Sequence, residues 1–146
     1  LDYGHMKAHW ASKIGAVTKA ARFFTVGASG LVINLSVIAL LTETVSLNYL
    51  FANSIGILTS MTNNFLLNKV WTFQDRRFER VYVLKQYGKF VSFSSGGAIL
   101  QLTLIYYFVD LHHLSYYPAL IMAVMIAAFG NFILNKRFTF GEKIWS

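Results

Sequence analysis

The sequence predicts an all-α integral membrane protein, with four transmembrane helices arranged as two parallel-repeat helical hairpins and both termini cytoplasmic. Three observations predict it. The 146 residues are 55% hydrophobic and only 13% charged, with a mean hydropathy of +0.49, whereas soluble domains run near a quarter charged. A chain this short cannot hide that much apolar surface from water, because small folds bury only about two-thirds of what they expose unfolded. The apolar residues gather in four runs of about 20, which at about 1.5 Å per residue cross a hydrocarbon core of about 30 Å. Finally, residues 22–73 return at 89–140, shifted by 67 positions without a gap and with 14 of 52 paired positions identical. A fixed period of this kind means duplication.

The first segment, 1–21, opens Leu1-Asp2-Tyr3-Gly4-His5-Met6. Gly-His-Met reads as a tag remnant, which makes Met6 the expected native start. No cleavable signal is expected, since the first long apolar run begins at Phe23, has a full span's length and is followed by no small-residue cleavage pattern. In Lys7–Ala21, Trp10, Ile14, Val17 and Ala21 recur at helical spacing opposite Lys19, the pattern of a short amphipathic helix lying in the interface.

Repeat 1, residues 22–73, holds spans at about 23–41 and 47–67; repeat 2, residues 89–140, holds spans at about 90–109 and 116–134. Backbone amides in lipid must bond internally, so helices are the sensible form for such runs, and their unbroken apolarity excludes the alternation of a barrel strand. Between the repeats lies a basic loop, 74–88, and after them a tail, 141–146. Trp71, Phe73, Phe138 and Phe140 sit just past their spans and fit an aromatic belt.

All 13 Lys and Arg fall outside the runs: before the first span, in the central loop, and after the last. The hairpin tips, Thr42–Ser46 and Asp110–Ser115, carry none. This asymmetry places the N terminus, the central loop and the C terminus in the cytoplasm. It also accounts for the pI of 9.8 by orientation and attraction to anionic headgroups, so nucleic acid is not an expected partner. Because each repeat contains two spans, both enter from the same side, and the pseudo-two-fold runs along the membrane normal.

Polar residues within this apolar frame are the candidate functional ones. Asn34 lies midway along the first span and its mate Gln101 at the same depth in the third. An amide there costs free energy unless hydrogen-bonded, so the pair either clasps helices or lines a substrate path. Asn53, Gly56, Ser60 and Asn63 or Asn64 form one small-and-polar stripe on the second span, and Ala119, Ala123, Ala127 and Gly130 or Asn131 a drier one on the fourth. Asn53 and Ser60 thereby join the candidate intramembrane polar path. Small stripes serve as packing seams or as pore linings.

Each repeat also ends on two Asn four residues apart and a Lys: Asn64, Asn68, Lys69 and Asn131, Asn135, Lys136. Two amides on one helical face followed by a cation at headgroup depth make a phosphate cradle, with the Lys supplying charge and the amides oriented donors. The plainer reading is a span terminus with Lys snorkelling and Asn capping the last carbonyls. Glu43 and Asp110 are the acids of the outer face, at the hairpin tips. No carboxylate, His or basic residue occupies the middle of a span, where proton-coupled carriers usually keep one.

With no Cys, and with His112 and His113 lacking further ligand partners, no metal or disulfide is expected. Catalytic constellations are missing too: no Gly-rich phosphate loop, no Ser-His-Asp set, no paired carboxylates. The expectation is a protein that is not an enzyme and needs no cofactor.

A Phe-x-x-x-Gly-x-x-Gly opening at Phe23, Gly27 and Gly30, and an Asn-Phe-x-x-Asn-Lys-x-Trp-Thr-Phe ending from Asn64 to Phe73, resemble the GtrA-like membrane proteins over about residues 20–141. The second copy departs at Ser94 for Gly27 and Phe138 for Trp71. The resemblance implies a role in cell-surface polysaccharide assembly at the cytoplasmic membrane, translocating a polyprenyl-phosphate-linked sugar or assisting the glycosyltransferase that makes it. It also implies that Asn64, Asn68 and Lys69 with their second-repeat mates contact the ligand. Expected partners are membrane lipid, the lipid-linked sugar, a glycosyltransferase and further copies of the chain, four helices being few to enclose a wide path. The alternative is a non-transporting anchor or accessory subunit of a polyprenyl-phosphate glycosyltransferase. A small multidrug-type exporter is disfavoured because that class relies on a buried carboxylate.

Overall fold

The computed structural model describes residues 3–144; Leu1 and Asp2 of the expected tag remnant and Trp145 and Ser146 of the tail lie outside the described residues. The fold is all-helical. Its helices are α1 (Tyr3–Glu43), α2 (Tyr49–Leu67), α3 (Arg80–Tyr106) and α4 (Tyr116–Leu134), with π-helical turns at Asn68–Thr72, Tyr107–Leu111 and Asn135–Thr139. The chain divides into two units, a first through Arg77 and a second from Phe78 to Ile144.

In the first unit α1 packs on α2, and in the second α3 packs on α4. Many large apolar side chains are exposed on both units, among them Leu31, Leu35 and Leu58 in the first and Ile99, Leu102 and Ile121 in the second. Side chains of this kind in this number require a lipid or protein neighbour. Three helices among the described residues are long and apolar enough to cross a membrane: Met6–Glu43, Arg80–Leu111 and Tyr116–Thr139. The protein is therefore a multi-pass membrane protein. The remaining expected span, 47–67, is a helix as well, α2, but it is not among those three, its apolar stretch being broken by Asn53, Asn63 and Asn64.

Two boundaries differ from the sequence expectation. Residues 7–21 form the first part of α1 and not a separate helix, because no proline interrupts the hydrogen-bond ladder ahead of Phe23. A 41-residue helix is about 60 Å long, twice the hydrocarbon thickness. The basic loop is likewise shorter than 74–88, since α3 begins at Arg80.

Within each unit, small residues let the helices approach and aromatic rings close the end. Ala52 is fully buried in the first unit, as are Ala119 and Ala123 in the second. Phe73 folds back under its unit and meets Phe23 edge-on, centroids 6.2 Å apart; Phe140 and Phe90 are buried at the matching places. Each pair of helices turns through a residue in the left-handed region. Ser46 (φ 52°) lets the Leu47 amide return to Leu41 O at 3.0 Å, and His113 (φ 55°) lets the Leu114 amide return to Phe108 O at 2.9 Å.

Candidate functional site

The repeated endings of α2 and α4 are held by π-turns. The Phe73 amide donates to Asn68 O at 2.8 Å and the Phe140 amide to Asn135 O at 3.0 Å, five residues back instead of four. Side chains brace these turns from within. Thr72 Oγ1 donates to Asn68 Oδ1 at 2.8 Å, and Thr139 Oγ1 to Asn135 Oδ1 at 2.9 Å. After each turn a positive-φ residue, Gln74 or Gly141, closes the cap, so that the Asp75 amide returns to Lys69 O and the Glu142 amide to Lys136 O.

This geometry turns the two lysines inward. Lys69 is 0% exposed, and its Nζ lies 3.0 Å from Asp75 Oδ2; the same carboxylate takes Arg77 Nε at 3.1 Å. Lys136 is equally buried, with Nζ donating to Ile144 O at 2.9 Å and standing 6.0 Å from the Phe132 ring centre. A buried ammonium is tolerable only when paired and hydrogen-bonded; the Asp75 carboxylate does this for Lys69, and the Ile144 carbonyl and Phe132 ring receive Lys136. Asn68 and Asn135 are buried beside them. The predicted cradle residues are thus adjacent, but both ammonium groups face protein.

Other cations occupy the outside of the same ends. Arg22 Nη1 donates to Trp71 O at 3.1 Å, with its guanidinium 5.5 Å from the Trp71 ring centre. Lys89, its repeat mate, donates to Phe138 O at 3.2 Å, and buried Gln86 donates to Thr139 O at 3.1 Å. Cations at terminal carbonyls complement the helix dipole. Arg137 is exposed nearby. Sequence reasoning singles out none of these four positions as a site residue, although the Arg22/Lys89 pairing at the repeat offset is a signal that finds two of them.

Further into the helices, amides meet glycines. In the first unit Asn34 Oδ1 lies against Gly56 and the Asn64 side chain against Gly30, each so close that a methyl on the glycine would overlap it. The Oδ1 atoms of Asn34 and Asn64 are buried without a hydrogen-bond partner, as is Asn63 Nδ2. Such atoms in a native interior call for a water, a ligand or a rearrangement. Ser60 is half-buried with its hydroxyl on Ile57 O at 3.1 Å. Asn53 is exposed and stands apart from the seam.

In the second unit Gln101 and Asn131 line a cleft of about 230 Å³ with Ser94, Gly97, Ala98 and Ala127. Asn135 Nδ2 donates to Asn131 Oδ1 at 2.7 Å. Asn131, Asn135 and Thr139 therefore form a continuous chain of hydrogen bonds from the cleft to the end of the unit. Glu43 and Asp110 are exposed, at the far ends of their helices from the π-turns at 68–72 and 135–139.

A protein-family model described as GtrA/DPMS, transmembrane domain, matches residues 22–140. No curated protein matches the chain.

Proposed function

The chain belongs to the GtrA/DPMS transmembrane-domain family, and from that premise we propose that it is a non-catalytic, four-span protein of the cytoplasmic membrane that moves a polyprenyl-phosphate-linked sugar between leaflets. The observation that supports this reading is the set of uncharged amides kept within membrane-length helices: Asn34 and Asn64 in one unit, Gln101 and Asn131 in the other. Amides in that setting are costly unless hydrogen-bonded, and hydroxyls of a passing sugar are suitable partners.

In this reading α2 is the fourth span, its amides sheltered by α1. Cationic residues before α1, between the units and after α4 put both termini in the cytoplasm. Within a unit, the lipid phosphate meets the end of α2 or of α4. Asn64, Asn68 and Lys69, with Asn131, Asn135 and Lys136, build the turns there, while Arg22, Lys89 and Arg137 reach the headgroup. Asn53 and Ser60 flank the route in the first unit, Glu43 lies at its outer end there and Asp110 at the outer end of the second unit, and the polyprenyl tail stays in lipid against the exposed leucines. Further copies of the chain would complete the enclosure.

A second reading, an anchor or accessory subunit for a glycosyltransferase, draws on the exposed Arg76 and Arg77 after α2 and the exposed Arg80 and Lys85 in the first turns of α3, basic residues suited to an acidic partner. Vesicles reconstituted with the purified chain and labelled polyprenyl-phosphate hexose separate the two. Protein-dependent transbilayer movement that falls several-fold in Arg22→Ala with Lys89→Ala is the expected result. No movement above protein-free vesicles, together with a glycosyltransferase that co-purifies unless the four basic residues are neutralised, would establish the anchor.

A further inference from the structure

The two units place one pair of identical repeat mates, Asn64 and Asn131, differently, and the second unit has a cleft at the place that an amide fills in the first. In the first, the Asn64 amide lies down on Gly30. In the second, Asn131 Oδ1 is held by Asn135 Nδ2 at 2.7 Å. A methyl on Gly97 would there meet Asn131 Cβ and Cγ and Ala127 O, at ordinary contact distances of 3.5, 3.7 and 3.8 Å. The space that Asn64 fills in one unit is part of the cleft of about 230 Å³ in the other.

The lining of that cleft specifies a ligand class. It contains no charged side chain, so a phosphate or an ammonium would be buried without a counter-charge. Gln101 and Ser94 each donate and accept, and Asn131, with its oxygen already engaged, offers Nδ2 as a donor. Hydroxyl groups, which also donate and accept, fit such a set. The volume is below the roughly 300–1,000 Å³ of sites for drug-sized ligands, which suits one sugar ring and not an oligosaccharide. Ala98 and Ala127 leave an apolar floor for the ring face. We infer that the second unit alone carries the sugar subsite, in this cleft between α3 and α4, and that Asn64 closes the equivalent place in the first. The inference rests on the proposed function for the identity of the ligand.

The chain has no cysteine, so one introduced thiol reports alone. Ala98→Cys places it on the cleft, and Leu31→Cys at the repeat-equivalent position of the first unit; both native residues are exposed, so neither change disturbs the packing. The purified full chain in lipid nanodiscs is alkylated with a membrane-permeant maleimide, alone, with polyprenyl phosphate, and with polyprenyl-phosphate glucose. The glucose-bearing lipid slows alkylation of Ala98→Cys several-fold, polyprenyl phosphate does not, Leu31→Cys responds to neither, and Gln101→Leu in the Ala98→Cys background abolishes the slowing. Equal slowing at both positions, slowing by polyprenyl phosphate alone, or no slowing at Ala98→Cys overturns the inference. If vesicles still show protein-dependent movement while Ala98→Cys is unprotected, the sugar subsite fails and the proposed function stands. Protection without movement leaves the subsite standing and dismisses transport.

Discussion

Asn64 rests on Gly30 in contact so close that any side chain at position 30 would overlap the amide, and Asn34 rests on Gly56 in the same way. The two contacts run in opposite directions across α1 and α2, each helix supplying one glycine and one amide. Glycine is needed at both places for the space and not for the backbone angle, since both lie within helices.

The glycines should differ in tolerance. A methyl at Gly56 meets the backbone oxygen of Asn34 at 3.0 Å as well as its side chain, so the helices must separate. At Gly30 the obstacle is the end of the Asn64 side chain alone, which can rotate away. Gly56→Ala should therefore cost about 1–3 kcal/mol as overpacking, Gly30→Ala less, and Gly97→Ala, with its nearest neighbour at 3.5 Å, almost nothing. Denaturant unfolding in detergent micelles, monitored by circular dichroism, gives the order. Equal losses at the three positions would contradict the packing described.

Lys69 and Asp75 form a buried pair, with side chains 0% and 7% exposed. Removing one partner of such a pair and leaving the other uncompensated costs on the order of 3–5 kcal/mol. Lys69→Ala should lose less than that, because Asp75 keeps Arg77, whose side chain is exposed. In an Asp75→Ala background the further loss on removing Lys69 should be far smaller, because the ammonium no longer has a carboxylate to leave behind. A cycle of the four proteins by micellar unfolding measures the coupling. Strict additivity would mean that Lys69 is held by something other than Asp75.

The repeat, the apolar runs and the depth of Asn34 and Gln101 are legible in the sequence, because hydropathy and a fixed offset survive without knowledge of the fold. The inward turn of Lys69 is not. Whether a terminal lysine snorkels or pairs depends on where Asp75 comes to lie, and that is fixed by a π-turn and by a left-handed Gln74 that a helical period does not encode. The extension of α1 through residues 7–21 is missed for a related reason: an amphipathic pattern shows which face is apolar, not whether the helix bends at Arg22. The cleft is hidden altogether, since Asn64 and Asn131 are identical residues in matching sequence and differ only in what their amides touch.

Orientation is open to the same thiol chemistry. Thr44 and His113 lie at the tips where the helices of each unit turn, Gln74 and Lys143 beyond the opposite ends. With four spans and cytoplasmic termini, Thr44→Cys and His113→Cys react with an impermeant maleimide added to intact cells, whereas Gln74→Cys and Lys143→Cys react only after permeabilisation. If Thr44 and Gln74 were reached from the same side, α2 would not cross, and the amides that break its apolar stretch would mark it as interfacial.

Asn135 is the residue that separates the two units' behaviour, and its removal should convert one into the other. Its amide takes three hydrogen bonds, accepting from Thr139 Oγ1 and donating from Nδ2 to Asn131 Oδ1 and to Asn131 O. Asn135→Ala breaks all three. At about 0.5–1.5 kcal/mol for each bond lost, it should cost more than Asn68→Ala, whose carbonyl oxygen holds Thr72. Once released, Asn131 is free to rotate onto Gly97, as Asn64 lies on Gly30, and the cleft then fills. The thiol of Ala98→Cys should accordingly react more slowly in the Asn135→Ala background even without ligand. Adding Gly97→Ala should restore its rate, because a methyl at position 97 denies the amide that resting place. Unchanged reactivity in Asn135→Ala would show that Asn131 is held off Gly97 by the backbone of α4 and not by its neighbour one turn along.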